Sequence, residues 1–179
     1  KIYYETVGRN SLLLLNVPAD DRGLIHEVDS MRLMQLRAAL DDIFSVDLSE
    51  GAQVEADNVR GNSRRFRAQN LLDKDYDRYW ATDDEVTKTS FIVRLPEART
   101  FNRVQLQEYI PLGQRVSAFS IDAMDEDGSW RPIAKETTIG YKRIVHVPTT
   151  TTAAVRVNID ESEACPVLNG FALFMDNVY

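Results

Sequence analysis

The chain has 179 residues, 44% hydrophobic and 27% charged, enough for one domain plus a short extra piece, with a core that needs no disulfide or metal to fold. Its 28 acidic against 21 basic residues give a net charge of −7, a field that repels phosphate backbones and anionic lipid, so nucleic acid and membrane insertion fall away as partners. The single cysteine, Cys165, excludes a disulfide framework, and the longest apolar run, Leu12–Leu15, is far too short for a membrane span.

Lys1-Ile2-Tyr3-Tyr4 has no initiator Met and none of the basic, apolar, small-residue order of a signal peptide, so the chain reads as the interior of a longer protein. Ser11–Asn16 is a short apolar run between polar residues and predicts a buried strand. Pro18–Gly23 reads as a loop. Leu33, Leu36, Leu40 and Ile43 then recur at spacings of three and four, which predicts a helix from about Val28 to Phe44, with Asp29 or Ser30 as its N-cap.

Beyond Ser45 the period changes from helical to two. Phe91, Val93 and Leu95 alternate with polar neighbours, as do Val104 and Leu106, then Phe119, Ile121 and Ala123, then Val155, Val157 and Ile159. Tyr141, Arg143, Val145 and Val147 share one face of a further strand. Turn signals at Gly51, Gly61-Asn62, Pro96, Pro111-Leu112-Gly113, Asp127-Gly128, Gly140 and Pro148 separate these runs, the pattern of an all-β sandwich or barrel. Residues 1–44 and 45–179 are therefore expected to be separate units. Leu12–Leu15 is apolar on both faces, as in a parallel sheet covered on both sides, yet no other strand–helix unit is present to cover it. Either it packs on the sandwich or residues 1–44 belong to a larger α/β domain, the reading preferred here.

Two resemblances sharpen this. Val7-Gly8-Arg9-Asn10-Ser11-Leu12-Leu13-Leu14-Leu15-Asn16-Val17-Pro18, followed by Asp21-Arg22-Gly23-Leu24-Ile25 and the helix, resembles the end of the catalytic barrel in α-L-fucosidases of glycoside hydrolase family 29. Residues 45–179 resemble the discoidin domain, or coagulation factor V/VIII type C domain, whose bacterial members often serve as family 32 carbohydrate-binding modules. The matching pieces, in order, are Asn70-Leu71-Leu72-Asp73-Lys74-Asp75, Tyr79-Trp80, Phe101–Glu108, Gly113–Val116, Asp127-Gly128-Ser129-Trp130, Ile139–Ile144 and Ala154–Val157. The resemblance implies a mainly β, galactose-binding-like jelly-roll sandwich, preceded by a strand and one helix left from an α/β barrel. It also implies a bacterial protein, periplasmic or at the cell surface, whose partners are fucose- or galactose-containing glycans and its own catalytic barrel. The lone Cys165 departs from the terminal disulfide of animal members. Leu168-Asn169-Gly170-Phe171 stands where members commonly carry a Glu before the last strand.

A retaining glycosidase needs two carboxyl groups about 5 Å apart across the scissile bond. In the resembled family both lie earlier in the barrel, so no catalytic residue is assigned and no glycosidase activity is expected of this chain. The run Asp73-Lys74-Asp75-Tyr76-Asp77 offers alternating carboxylates for a hard cation, but Arg78 and Asp84 stand where an EF-hand needs Gly and Glu. By resemblance Asp73 and Asp75 become ligands of a structural calcium. For glycan contact the candidates are Tyr76 and Arg78 in the loop, with Tyr109 and Arg143, because a sugar's apolar face stacks on a ring while guanidinium groups bind its hydroxyls. Phe66, among Arg64, Arg65 and Arg67, is a further platform. Trp80 and Trp130 read as core, and Glu108 with Arg115 as a charge pair closing a turn. His26 and His146 lack spaced partners for a transition metal, and no phosphate loop follows Gly61. The functional expectation is a carbohydrate-binding accessory domain. The alternatives are a structural domain that packs on the barrel, or a protein- or lipid-binding domain. An exposed loop ring beside Arg or Asn separates the first from the second.

Overall fold

Strands dominate beyond residue 52, and their pairing is antiparallel throughout. The computed structural model describes residues 1–177. In chain order the elements are α1 (Ile2–Glu5), α2 (Glu27–Phe44), β1 (Gln53–Ala56), β2 (Trp80–Ala81), β3 (Thr89–Glu108), β4 (Val116–Met124), β5 (Trp130–Glu136), β6 (Arg143–Ser162) and β7 (Val167–Phe174). Three short 3₁₀ turns, Arg60–Asn62, Arg64–Phe66 and Ala68–Leu72, fill the connection from β1 to β2.

The hydrogen-bonded order is β2-β7-β3-β6-β4-β5, with β1 on the free side of β3's first half. The long strands β3 and β6 pair with each other along both halves, but their register breaks between Arg94 and Arg99 and again between Phe101 and Arg103. Pro96 and Pro148 fall at this corner, where a residue without an N–H costs no ladder bond. Before the corner β3 lies with β1, β6 and, beyond β6, β4 and β5; after it β3 lies with β7. Two strands that change sheets at a bulged bend fold one ladder into the two layers of a jelly-roll sandwich. The period-two residues do the filling: Phe91, Val93, Val104, Leu106, Phe119, Ile121, Val155 and Val157 are all 0% exposed. The central strand β7 is buried at every position, so its apolar run shows no alternation. At Gly170 of β7 an added Cβ would meet the Gln107 side chain at 2.6 Å, so the glycine gives that side chain its room.

The helix forms as the spacing predicts, but its cap is His26, whose Nδ1 accepts the Val28 N–H at 3.2 Å, rather than Asp29 or Ser30. Only its last turn is anchored: Ile43 is buried against Ala172 and Phe174, and Phe44 meets Phe174 edge-on at 4.9 Å. Above it the stripe is only partly covered, with Leu33 and Leu40 half-buried and Leu36 at 36% exposure, and Val28 and Met34 beside it are exposed. The expected Ser11–Asn16 strand is absent. This stretch pairs with no neighbour, and Leu12 and Leu14 are over 90% exposed, because a strand exists only with a partner strand to bond.

Upstream of that stretch the chain is attached to the sandwich. Gly8 accepts the Ile144 N–H at 2.8 Å, and the Asn10 N–H donates to Lys142 at 2.9 Å. Asn10 takes the left-handed conformation, φ 62°, and its Oδ1 accepts the Tyr141 N–H at 2.7 Å. Gly140, itself at φ 70°, lies against the Asn10 amide so closely that no Cβ fits. Tyr4 completes the attachment, donating its hydroxyl to Asp176 at 2.6 Å and lying under the Arg103 guanidinium at 4.7 Å. No helix among the described residues is long and apolar enough to cross a membrane.

Candidate functional site

Loops gather at the end of the sandwich where β3 stops and β6 begins. Glu108 organises them. It is 1% exposed, and its carboxylate accepts three backbone N–H groups: Arg115 at 2.7 Å, Val116 at 2.9 Å and Gly140 at 2.7 Å. The turn is therefore closed by a carboxylate on peptide N–H groups, not by the expected Glu108–Arg115 charge pair. The Arg115 guanidinium instead donates to the Leu112 and Cys165 carbonyls and to the Cys165 Sγ.

On this frame stands a run of five rings. Phe66 lies 5.5 Å from Tyr79, Tyr79 stacks on Tyr109 at 4.6 Å and 19°, Tyr109 lies 5.5 Å from Tyr76, and Tyr76 lies 6.5 Å from Tyr141. Tyr76 is 43% and Tyr141 52% exposed, so the outer end of the run faces water. Each ring is held through its backbone. The Asn169 amide donates to the Tyr76 carbonyl, the Tyr109 N–H to the Val167 carbonyl, and the Tyr141 peptide is gripped by Gln107 and Asn10. The Tyr109 hydroxyl donates to Asp77 at 3.1 Å. Withdrawal from water by neighbouring groups pushes the Tyr76 and Tyr109 phenols above their ordinary value, and the Asp77 charge adds to it.

The structure thus brings Tyr76 and Tyr109 together, with Arg78 in the same loop. Arg143 it takes elsewhere: nearly buried, it pairs with Glu136 and lines a separate cavity of about 350 Å³ beside Tyr4, Arg9 and Arg103. Tyr79 and Tyr141 were not among the sequence candidates. Tyr141 carried a usable signal, an aromatic directly after a turn glycine; Tyr79 carried none beyond its place before Trp80. Trp80 is core at 0% exposure, whereas Trp130 is half-exposed at the start of β5, with the Arg156 guanidinium 4.7 Å over its ring.

Asp73 and Asp75 are engaged by groups of their own loop. Their Oδ1 atoms accept the N–H groups of Asp75 and Asp77, and their Oδ2 atoms face Arg78 at 2.9 and 3.5 Å. The Asp75 peptide and then Arg78 hold the Asp73 carboxyl below its usual range. Among the described residues no three His, Cys, Asp or Glu side chains converge as a metal group. One buried oxygen nearby, Asn169 Oδ1, has no hydrogen-bond partner.

An antiparallel jelly roll with loops and exposed rings collected at one end defines a discoidin-like β-sandwich module. The chain belongs to the F5/8 type C domain family, whose model matches residues 53–170. It is 36% identical over 178 residues to an Oryza sativa subsp. japonica protein carrying the name α-L-fucosidase 1, covering 98% of this chain and 34% of that one. It is 31% identical to α-L-fucosidase 1 of Arabidopsis thaliana, covering 98% and 35%. Among solved structures, a Bacteroides thetaiotaomicron protein under the α-L-fucosidase name superposes with a TM-score of 0.91 at 34% identity, covering 97% of this chain and 38% of that one. A Ruminococcus gnavus GH29 fucosidase solved in complex with fucose gives 0.91 at 25%, covering 99% and 36%. The chain spans about a third of the length of these relatives, and residues 53–170 are its F5/8 type C part.

Proposed function

We propose that this chain is the glycan-binding accessory module of an α-L-fucosidase-like glycoside hydrolase, holding that enzyme on fucose- or galactose-containing glycans. The observation that carries the reading is the exposed pair Tyr76 and Tyr141 at the open end of the aromatic run. Flat rings at spacings of several ångströms offer stacking surface to successive sugars. Residues 1–44, with their uncovered apolar side chains, are the part of the catalytic domain that this module travels with, and the sandwich proper is 45–179. Tethering raises the local concentration of glycan at the catalytic centre without any new catalytic group. The reading extends to a bacterial periplasmic or cell-surface location, where such polysaccharides are met; fractionation of the source cells checks it.

The calcium that the family implies is not needed for this reading, and the donors as they stand do not fit it. Both candidate carboxylates already face a guanidinium, and a hard cation seeks six to eight oxygens. Arg78 acts as the built-in cation of the loop, and calcium would have to displace it.

The test is a glycan array with fucosylated glycans, galactosides and plant polysaccharides, repeated with Tyr76→Ala. We expect binding to at least one class, weakened about tenfold in the variant, since a base-sized ring stack contributes about 1–3 kcal/mol. Silence on every glycan from a folded protein would transfer the assignment to a packing domain.

A further inference from the structure

Beside the aromatic run lies a cavity of about 430 Å³ whose walls are Arg64, Arg65 and Arg67 on one side and Asp77, Arg78 and Tyr79 on the other. Asn70, 4% exposed, ties the walls together: its Nδ2 donates to the carbonyls of Arg65 at 2.7 Å and Tyr79 at 2.9 Å, and its Oδ1 accepts from the Arg67 Nε at 3.4 Å. Ser63 fixes the start of the arginine turn by accepting the Arg65 N–H at 3.3 Å. The two walls are therefore a built arrangement.

The charges in it are unevenly spent. Arg78 is occupied by Asp73 and Asp75, and Asp77 takes the Tyr109 hydroxyl. Among the described residues Arg64, Arg65 and Arg67 pair with no carboxylate, in a chain whose net charge is −7. With so many acidic side chains available, three exposed arginines that form no ion pair, of which only Arg67 spends its Nε on Asn70, leave fork-shaped donor edges for a group outside the chain. Planar guanidinium matches the oxyanion of a carboxylate or a sulfate two bonds at a time, and Arg65 is already held over the Phe66 ring at 5.4 Å.

Resting on the glycan-binding reading, we infer that this pocket selects anionic glycans: the sugar rings lie along the aromatic run and a carboxylate or sulfate group is clamped by Arg64, Arg65 and Arg67. Tyr79 joins the two halves, since it walls the pocket and stacks on Tyr109.

Calorimetric titration of the full chain against a neutral galactan, a polygalacturonate and a sulfated galactan tests this, with the last two separating uronate from sulfate as the source of the oxyanion. The variants are Tyr76→Ala and the triple Arg64→Gln, Arg65→Gln, Arg67→Gln, with near-ultraviolet circular dichroism as the folding control. We expect one anionic polymer to bind at least about tenfold more tightly than the neutral one, and that preference to fade as salt rises and to vanish in the folded triple variant. Equal binding of neutral and anionic polymers would overturn the anionic preference and leave the glycan reading standing. An anionic preference that survives the triple substitution would overturn the assignment to this pocket. Anionic binding indifferent to Tyr76→Ala and shared by a short DNA duplex would show a mere polyanion patch and overturn it as well. Binding to none of the three would overturn the anionic pocket and leave the glycan reading to be decided by the array with fucosylated glycans.

Discussion

Arg103 and Asp176 meet at 2.9 Å with side chains 3% and 0% exposed, and Asp176 also exchanges two hydrogen bonds with Asn102. Two charges this deep are tolerated only because each is paired. Arg103→Ala removes the buried cation that faces the Asp176 carboxylate and the Tyr4 ring, and we expect a loss of about 3–5 kcal/mol, read from urea denaturation. Tyr4 reports on the same site. Burial, with the Asp176 hydrogen bond second, pushes its phenol up to about 12. A raised folded-state value means the folded protein holds the proton more tightly, so this contribution is complete below pH 10 and is lost as pH rises toward 12. Denaturation curves at pH 8 and pH 11 should therefore converge more closely in Tyr4→Phe than in the parent chain. Tyr76 and Tyr109, raised in the same direction, contribute to what remains.

At the scale of elements, α2 is attached at one end only. Its period was legible because Leu33, Leu36, Leu40 and Ile43 keep helical spacing, but the periodicity says nothing about which surface the stripe meets. Only Ile43 is buried here. Leu36→Lys is accordingly expected to change stability by less than about 0.5 kcal/mol by chemical denaturation, the scale of a surface substitution. Ile43→Ala removes a packed side chain and should cost about 2 kcal/mol or more. A large loss from Leu36→Lys would show that the stripe is covered in solution. The alternating strands β3, β4 and β6 were readable for the opposite reason, since each has one core face and one wet face. β7 was not recognised in full, because a strand buried on both faces loses the alternation, and β2, two residues long, has no pattern to read.

For the whole molecule, the anchor of the fold is a hydrophobic core continuous through both layers, from Trp80 and Phe91 to Leu168 and Leu173. With Arg78 already seated between Asp73 and Asp75, excess chelator is expected to leave the melting temperature and any glycan binding unchanged. A melting temperature raised by calcium and lowered by chelator would show that the ion displaces Arg78, since a ligand that binds only the folded state stabilises it by mass action.

The sequence by itself determined the sandwich, the helix and the loop that carries Tyr76 and Arg78, because period, turn residues and ordered motifs act over short stretches of chain. Tertiary structure alone decided which loop residues meet. Tyr76, Tyr79, Tyr109 and Tyr141 come from three separate segments and become one surface only when Glu108 draws the Arg115 and Gly140 turns together. Arg143 shared the chemistry of a ligand-binding arginine but was claimed by Glu136, a residue on the neighbouring hairpin that no local pattern connects to it. Likewise only folding turns Arg78 back onto the acidic loop, between Asp73 and Asp75. Charge and aromaticity are written in the chain, but whether they are spent internally or left for a ligand depends on distances that only the packed fold sets.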